Sequence, residues 1–367
     1  MKIAFLTRAN SWHIPVRTKY FVSRGHTVYY FGTCPGSEIP IIPKGVHCID
    51  IISKYDNKIF MLFSRMLQIR ALIKKYKIDI LHIISMGHAI YSIFLNVNKI
   101  VFENNGSDVL VVPERNLFYK IFYKIFYKIL YLFADAVVQD SKVSQCAGIK
   151  YGAPIKNNEI IELGIDFQAF NLNIKRDVAR KRLGINLDQK IIFSPRSFVP
   201  NSNIETIIKT IPIVRKMFKD IQYVFCRHYG EQDKIISDLV TQLEVQNNVK
   251  FIGFLDNELE MPFYATDADV VLSVLSSDSS PRSVYESMAC GTPVIVTELP
   301  WYHGKFEKDL DLLTVPIKDS SELANNILQI LNGNNTLDLD SAYQKVNKNI
   351  NMVNHSKKLE SLYYKIL

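Results

Sequence analysis

Cysteine is scarce in this sequence, which has five cysteines among 367 residues and no two of them close together. Such scattered cysteines offer neither a disulfide framework nor a zinc knuckle, and they fit a reducing compartment such as the cytoplasm. Long apolar runs are also missing, since none reaches the roughly 20 residues that a membrane-spanning helix needs. The N-terminal MKIAFLT lacks the basic region, long apolar core and cleavage site of a signal peptide. The sequence therefore predicts neither a secreted nor a membrane-spanning protein.

Acidic residues are much less frequent than basic residues in the first half of the chain. Residues 1–170 contain 21 Lys and Arg against 12 Asp and Glu, whereas residues 171–367 contain 23 against 24. The first half is therefore expected to be drawn to an anionic partner, either a membrane surface or a nucleic acid. Composition alone does not choose between the two.

The length and the 48% hydrophobic content favour two domains, each with its own core. The chain opens as strand, helix, strand, with Lys2–Leu6, Pro15–Ser23 and Val28–Phe31, and similar units recur in both halves. This alternation predicts two doubly wound α/β domains with parallel sheets. The expected boundaries are a first domain over 1–170, a hinge over 171–189, a second domain over 190–345 and a C-terminal helix over 346–367.

Residues 273–298, SVLSSDSSPRSVYESMACGTPVIVTE, contain the most informative pattern. A buried strand, Asp269–Leu275, runs into a polar loop, and Pro281 is expected at the first position of a helix that ends before Gly291. The start of such a helix points amide groups at the top of the sheet, where a phosphate can bind. The amides of Ser283 and Val284 are the candidates.

Two acids, Asp278 and Glu286, are separated by seven residues in this stretch and are followed by SMACG and Pro293-Val294. The pattern resembles the signature of retaining family-4 glycosyltransferases, the glycosyl transferases group 1. The resemblance implies that Asp278 and nearby loop amides, in the Pro281-Arg282-Ser283-Val284 segment, hold the donor sugar and its phosphates. It implies that Glu286 binds the ribose hydroxyls. The alternative is that Asp278 only caps the helix and Glu286 faces solvent.

The second half continues the resemblance. Arg196 stands where the family places an arginine on the donor diphosphate, and it precedes a helix predicted over Ile204–Phe218. Asn201 occupies the position of a diphosphate-binding lysine, so one cation is missing unless another residue such as Arg227 replaces it. Gly253-Phe254 stands where family members hold the nucleobase.

In the first half, His13 follows the first strand, and Asn105 and Asp108 belong to the NNGSD segment after a later strand. The resemblance implies that His13, Asn105 and Asp108 contact the donor sugar or the acceptor, with Arg196 and Asp278 as the catalytic partners from the second half. His13 has the alternative of being a surface residue. His82 is open between an active-site role and a buried core position.

An internal repeat, FYKI-FYKI-FYKI, spans Phe118–Ile129. On a helix that turns about 100° per residue, Lys120, Lys124 and Lys128 form one slanting stripe, and the rest of the circumference is apolar and aromatic. We expect Lys120, Lys124, Lys128 and Phe118, Phe122, Phe126 to contact an anionic membrane surface. The alternatives are a core helix whose lysines reach out to water, and a nucleic-acid site, which would need exposed rings in a groove.

The resemblance implies the glycosyltransferase B fold, with two doubly wound domains facing across a cleft and the last helix crossing back to the first domain. It implies a retaining hexosyltransferase that moves a hexose from a nucleotide-sugar, a UDP-sugar by expectation, to a hydroxyl of a saccharide acceptor. We expect a lipid-linked acceptor, a role in bacterial surface polysaccharide or lipopolysaccharide synthesis, and a location on the cytoplasmic face of the membrane. Neither a metal nor another cofactor is expected, and nucleic acid is not an expected partner.

Two other functions stay open on the sequence. One is a non-enzymatic peripheral membrane protein with a vestigial nucleotide-sugar site, which the absence of a lysine at Asn201 favours. The other is a nucleotide-sugar epimerase on a related two-domain fold. The epimerase needs no acceptor, and the vestigial protein would bind a donor without turnover.

Overall fold

The computed structural model describes residues 1–11, 13–33, 41–93, 95, 97–226, 230–253 and 255–367. The chain divides into two compact units. The first comprises Met1–Gly164 and Met352–Leu367, and the second comprises Ile165–Asn351. Within the described ranges, no helix combines the length and the apolar character that crossing a membrane requires.

The first unit is built on a seven-stranded parallel sheet in the order β3-β2-β1-β4-β5-β6-β7. Its strands are β1 (Lys2–Arg8), β2 (Thr27–Thr33), β3 (Val46–Ile51), β4 (Ile80–Ile84), β5 (Lys99–Asn104), β6 (Ala136–Gln139) and β7 (Asn158–Ile160). Its helices are α1 (His13–Ser23), α2 (Lys58–Tyr76), α3 (Met86–Ala89), α4 (Gly106–Leu110), α5 (Leu117–Tyr131) and α6 (Lys142–Lys150), to which the chain adds its last helix, Met352–Ile366.

The second unit has a six-stranded parallel sheet in the order β10-β9-β8-β11-β12-β13. Its strands are β8 (Ile191–Ser194), β9 (Gln222–Cys226), β10 (Val249–Ile252), β11 (Val270–Ser273), β12 (Val294–Thr297) and β13 (Leu313–Val315). Its helices are α7 (Arg176–Leu183), α8 (Ile204–Ile208), α9 (Ile211–Val214), α10 (Asp233–Gln242), α11 (Met261–Asp267), α12 (Arg282–Ala289), α13 (Ser320–Leu331) and α14 (Leu339–Asn349), and the helix Met352–Ile366 is α15.

Both sheets are covered on both faces, which explains why their strands are almost continuously apolar. In β1, Ile3 and Phe5 point into a core shared with α1 and α15, while Ala4 and Leu6 point into a core shared with α2 and α5. The predicted fold class, two doubly wound parallel-sheet domains with the last helix on the first domain, is confirmed.

Short polar residues set several helix starts, as helix-capping chemistry predicts. Asn57 accepts hydrogen bonds from the Ile59 and Phe60 amides at the start of α2, and Asn116 accepts one from Tyr119 at the start of α5. The helix expected over Ile204–Phe218 is instead split into α8 and α9. Pro212 lies in the first turn of α9 and cannot donate the amide hydrogen bond that a continuous helix would need there.

The segment expected to be a hinge, 171–189, is part of the second unit. Arg180 of α7 is buried, and its Nε atom lies 2.7 Å from an Asp267 carboxylate oxygen, so the segment is fixed to α11. The first unit likewise ends at Gly164 instead of residue 170, because Ile165 and Phe170 pack in the core of the second unit. At the other end, α14 belongs to the second unit and only α15 joins the first.

Candidate active site

The chain order of the second sheet reverses between β8 and β11, the position at which such sheets bind ligands beyond their strand ends. Arg196 follows β8 and Asp278 follows β11. The Arg196 Nε–H donates to Ser273 Oγ at 2.9 Å, and its Nη2–H donates to Asp278 Oδ2 at 3.0 Å. Two residues predicted to act on the donor are thus joined by an ion pair at this position.

Asp278 does not cap α12, because the residue at the N-cap is Pro281. Its other oxygen accepts the Ser279 amide at 2.8 Å, and its side chain is largely buried. The capping role that the sequence left open is therefore not observed. Pro281 was expected to be the first helical residue, but the helix begins one residue later, at Arg282.

Glu286 is 2% exposed, so the alternative that it faces solvent is wrong. Its Oε1 atom lies 2.8 Å from Arg282 Nε, one turn earlier on α12, and accepts a hydrogen bond from Asn257 Nδ2 at 3.2 Å. Burial raises the pKa of Glu286 above its ordinary value, and the nearby Arg282, Asn257 and Arg196 offset only part of this effect. The buried carboxylate and the Arg196–Asp278 pair therefore lie in one electrostatic environment.

The start of α12 differs in part from the predicted phosphate site. The Val284 amide donates to the Pro281 carbonyl at 3.0 Å, so it is already used inside the first turn. By contrast, the Ser283 Oγ and Arg282 Nη2 atoms are buried, and neither finds a hydrogen-bond partner in the described part of the chain. Unpaired buried donors of this kind suit a ligand oxygen. At the other end, Gly291 takes φ +73° and ends the helix as predicted.

Asn201 connects the loop after β8 to the loop that carries Asp278. Its Nδ2–H donates to the Ser277 carbonyl at 2.9 Å, and its Oδ1 accepts the Ser277 amide at 3.0 Å. Asn203, with φ +49°, donates to the Val274 carbonyl at 2.8 Å. The asparagine in place of a lysine thus has a structural task, since it holds the two loops together.

Gly253 is exposed and follows β10, and four residues later Asn257 reaches Glu286. Phe254, predicted with Gly253 to hold the base, lies outside the described residues, as does Arg227. Sequence reasoning did not single out Asn257 or Asn203. Each hydrogen-bonds to a residue far away in the sequence, and no local sequence pattern predicts these bonds.

In the first unit, the buried carboxylate of Glu103 is surrounded by polar side chains. We call Glu103 and these residues the Glu103 cluster: Arg17, His13, His82 and Tyr363. The Glu103 Oε2 atom lies 3.1 Å from Arg17 Nε and 3.0 Å from His82 Nε2. Its Oε1 atom lies 3.5 Å from Nδ1 of His13, the first residue of α1. The other ring nitrogen of His82 is hydrogen-bonded to the Tyr363 hydroxyl of α15. Burial alone would raise the pKa of Glu103, but Arg17 and the two histidines hold it well below its usual range.

His82 is fully buried, as the core alternative for this residue predicts. His13 remains partly exposed beside it. The predicted contact residue Asp108 is engaged by the chain itself: its carboxylate accepts the Asn105 amide at 3.0 Å, the Met86 amide at 3.2 Å and Ser85 Oγ at 2.9 Å. Burial raises its pKa, which these bonds partly offset. Asp108 thus fixes the start of α4, whose N-cap is Asn105.

The repeat helix α5 is neither wholly buried nor wholly exposed. Tyr127, Leu130 and Tyr131 are buried against the sheet, and Phe126 is partly buried. The opposite side presents a continuous row of large apolar side chains to solvent, namely Leu117, Phe118, Ile121, Phe122, Ile125 and Ile129. Lys124 and Lys128 are exposed, and Lys120 is paired with Glu114 at 2.8 Å.

Comparisons with known proteins bear on this architecture. Among curated relatives, the chain is 24% identical over 199 residues to the amylovoran biosynthesis glycosyltransferase AmsK of Erwinia amylovora. This match covers 53% of this chain and 46% of AmsK. It is 30% identical over 162 residues to the lipopolysaccharide core biosynthesis glycosyltransferase LpsE of Rhizobium meliloti, covering 43% and 44%. The chain spans less than half the length of the curated relatives it matches.

Among solved structures, the crystal structure of Anabaena HepE in complex with UDP and glucose matches over the whole of both chains, with a TM-score of 0.80 and 18% identity. Sucrose-phosphate synthase from Thermosynechococcus elongatus matches all of this chain and 99% of its own, with a TM-score of 0.81 and 17% identity. At these identities the likeness shows the fold, which is the glycosyltransferase B fold.

Two family models match in succession and together cover most of the chain. The glycosyl transferase 4-like model matches residues 2–141, and the glycosyl transferases group 1 model matches residues 175–350. The chain therefore belongs to the glycosyl transferases, with a 4-like domain in its first half and a group 1 domain in its second.

Proposed function

We propose that this protein is a retaining, metal-independent glycosyltransferase that moves a hexose from a UDP-sugar to a hydroxyl of a saccharide acceptor. The observation that carries the proposal is the arrangement at the second sheet's switch point. There a buried carboxylate, Glu286, is paired with Arg282, and Arg196 is paired with Asp278 beyond the ends of β8 and β11. The Anabaena HepE structures, solved with UDP, with UDP and glucose, and with UDP-glucose, motivate the choice of nucleotide.

Glu286 is the proposed ribose ligand. A carboxylate that is almost wholly buried accepts hydrogen bonds from two neighbouring hydroxyls more strongly than an exposed one, because little water competes. Asp278 is proposed to accept from a hydroxyl of the donor sugar while Arg196 shifts to the diphosphate. The free Ser283 Oγ and Arg282 Nη2 atoms would then donate to the phosphate oxygens.

In the proposed reaction, the bond between the anomeric carbon and the diphosphate oxygen breaks, and the acceptor oxygen bonds to that carbon from the same face. The acceptor proton passes to the departing phosphate oxygen, so no protein nucleophile is needed. Negative charge builds on the diphosphate during this step. Arg196 and the positive end of α12 are proposed to stabilise this charge in place of a metal.

The acceptor is proposed to be a lipid-linked saccharide on the cytoplasmic face of a membrane, in bacterial surface polysaccharide or lipopolysaccharide synthesis. The names of AmsK and LpsE support a polysaccharide context. The exposed apolar face and the lysines of α5 support membrane contact. Changing Lys120, Lys124 and Lys128 together to Glu should abolish co-sedimentation with anionic vesicles. The matched control changes the exposed Lys216, Lys219 and Lys234 of the second unit to Glu and should bind as the parent does.

A vestigial nucleotide-sugar site is the second candidate, favoured by one observation. Asn201 is fully engaged with Ser277, so this position offers the diphosphate no cation. A vestigial protein would bind a donor but neither transfer nor hydrolyse its sugar. An epimerase would convert the donor sugar without any acceptor and without net release of UDP.

The deciding experiment measures melting temperature with UDP-, GDP- and ADP-sugars, in the parent protein and in Glu286→Gln. A selective rise with one UDP-sugar that is lost in Glu286→Gln is expected, because Gln keeps the shape but not the charge. That sugar is then assayed for release of UDP with saccharide acceptors. No shift with any donor in a cooperatively folded sample would overturn the enzymatic proposal.

A further inference from the structure

A second exposed apolar face lies on α2, which the sequence pattern did not single out. Ile59, Phe60, Phe63 and Leu67, which we call the α2 face, are between 55 and 66% exposed. At about 100° per residue these four side chains fall within an arc of about 100°. Four large apolar side chains in one row form a patch of the kind that marks an interaction site.

The other side of α2 is firmly packed. Ile69 and Ile73 are buried in the same core that receives Tyr127 and Leu130 of α5. The two helices therefore cover the same face of the first sheet. Each leaves an apolar row exposed to solvent, so the helical layer on this face of the sheet carries two such rows.

The charged residues of α2 indicate which kind of partner the α2 face binds. Neither α2 nor α5 contains an Asp or a Glu. Arg70 and Lys74 are exposed and continue the α2 face toward its C-terminal end, and Lys58 stands at its start. An apolar row on a helix that carries cations and no acidic residue matches the boundary between the acyl chains and the anionic headgroups of a bilayer. A protein partner with an apolar site would not require this one-sided charge.

We infer that the α2 face inserts into the interface of an anionic bilayer as a second attachment point in addition to α5. The inference rests on the proposed function in one respect, because the membrane contact of α5 is part of that proposal. Once one helix is bound, insertion of the other is intramolecular, so the pair binds far more tightly than either helix alone. Two attachment points would also fix how the first unit is oriented on the membrane.

The test introduces a reporter at the α2 face. Phe63→Trp retains an aromatic side chain at an exposed position, so the fold is preserved. With vesicles of phosphatidylglycerol and phosphatidylcholine, its fluorescence should shift to the blue and be quenched by brominated acyl chains, relative to the parent protein. The control, Leu187→Trp, places tryptophan at a similarly exposed site in the second unit and should show neither effect.

A second variant measures the contribution to affinity. Phe60→Ser with Phe63→Ser should weaken binding to these vesicles by roughly tenfold or more. Met217→Ser, an equally exposed apolar site in the second unit, should leave it unchanged. Equal binding by the double variant, or an unquenched Phe63→Trp on vesicles that the lysine variants fail to bind, would overturn the inference while leaving α5 as the membrane contact.

Two further outcomes separate the alternatives. A dimer in the absence of vesicles that the Phe60→Ser, Phe63→Ser variant dissociates would assign the α2 face to a second copy of the chain and overturn the inference. Quenching of Phe63→Trp in a protein that binds no UDP-sugar would support it while contradicting the proposed enzymatic function.

Discussion

The Arg196 guanidinium and the Asp278 carboxylate form an ion pair at 3.0 Å although 82 residues separate them. They meet because β8 and β11 are neighbours in the second sheet and both residues follow the carboxyl ends of these strands. The Ser273 hydroxyl accepts the second hydrogen bond of Arg196 and fixes its orientation. The two bonds leave from different nitrogens of the planar guanidinium, a geometry that the single nitrogen of lysine does not reproduce.

Arg196→Lys is therefore expected to reduce kcat by about 100-fold, because the charge stays but the oriented donors to the diphosphate are lost. The measurement is steady-state transfer with the UDP-sugar identified by thermal shift. Arg215→Lys is the matched control, since Arg215 makes a surface hydrogen bond to the Glu244 carbonyl. If the two variants had equal kcat, Arg196 would have no part in the reaction.

Glu103→Gln should lower the free energy of unfolding by about 3 kcal/mol, because Arg17 would remain buried without a compensating charge. Arg17 is 1% exposed, and its two other bonds go to the Ile161 and Glu162 carbonyls. Urea unfolding at neutral pH provides the measurement. Glu159→Gln breaks the exposed pair with Lys365 and should change stability by less than about 1 kcal/mol. Similar losses in both variants would show that the Glu103 cluster contributes little.

His88 gives the first unit a predictable response to acid. Its Nε2 atom lies 2.8 Å from Thr33 Oγ1, and burial, aided by Arg8 and Arg65, lowers the pKa of His88 to about 4. In the unfolded chain the histidine takes up a proton near its ordinary pKa of 6.5. Between these two values the unfolded state binds the extra proton, so stability falls as the pH drops from about 6.5 to about 4.

His88→Gln should remove that component, which amounts to roughly 3 kcal/mol over the whole interval. Urea unfolding of parent and variant at pH 7.0 and pH 4.5 tests it. The variant should lose less stability than the parent on acidification. Equal losses would mean that His88 is protonated in the folded protein at the lower pH.

The signature of the second half was predictable because it is local. Asp278, Glu286 and Gly291 lie within one strand, loop and helix, and their spacing alone assigns their elements. The Glu103 cluster was not predictable, because the sheet topology brings Glu103, His82 and Tyr363 together from distant parts of the chain.

The α2 face escaped prediction for a different reason. The stretch Ile59–Ile73 is apolar on nearly all sides of the helix, so its sequence has too little contrast to say which side packs inward. Only the core formed by Ile69 and Ile73 decides it. Asn201 shows a third kind of limit. The sequence revealed that a lysine is absent there, but not that the asparagine amide is paired with the Ser277 backbone.

Asn201→Lys distinguishes a structural asparagine from a lost contact. Lysine cannot accept the Ser277 amide, so the bond between the two loops is broken and the free energy of unfolding should fall by about 1–2 kcal/mol. Because that loop carries Asp278, the rise in melting temperature caused by UDP should shrink despite the added positive charge. Asn201→Asp, which keeps the acceptor and loses the donor, should lie between the parent and the lysine variant in stability. Unchanged stability with a larger UDP effect would instead identify position 201 as an unused cation site, which is the outcome that a vestigial nucleotide site predicts.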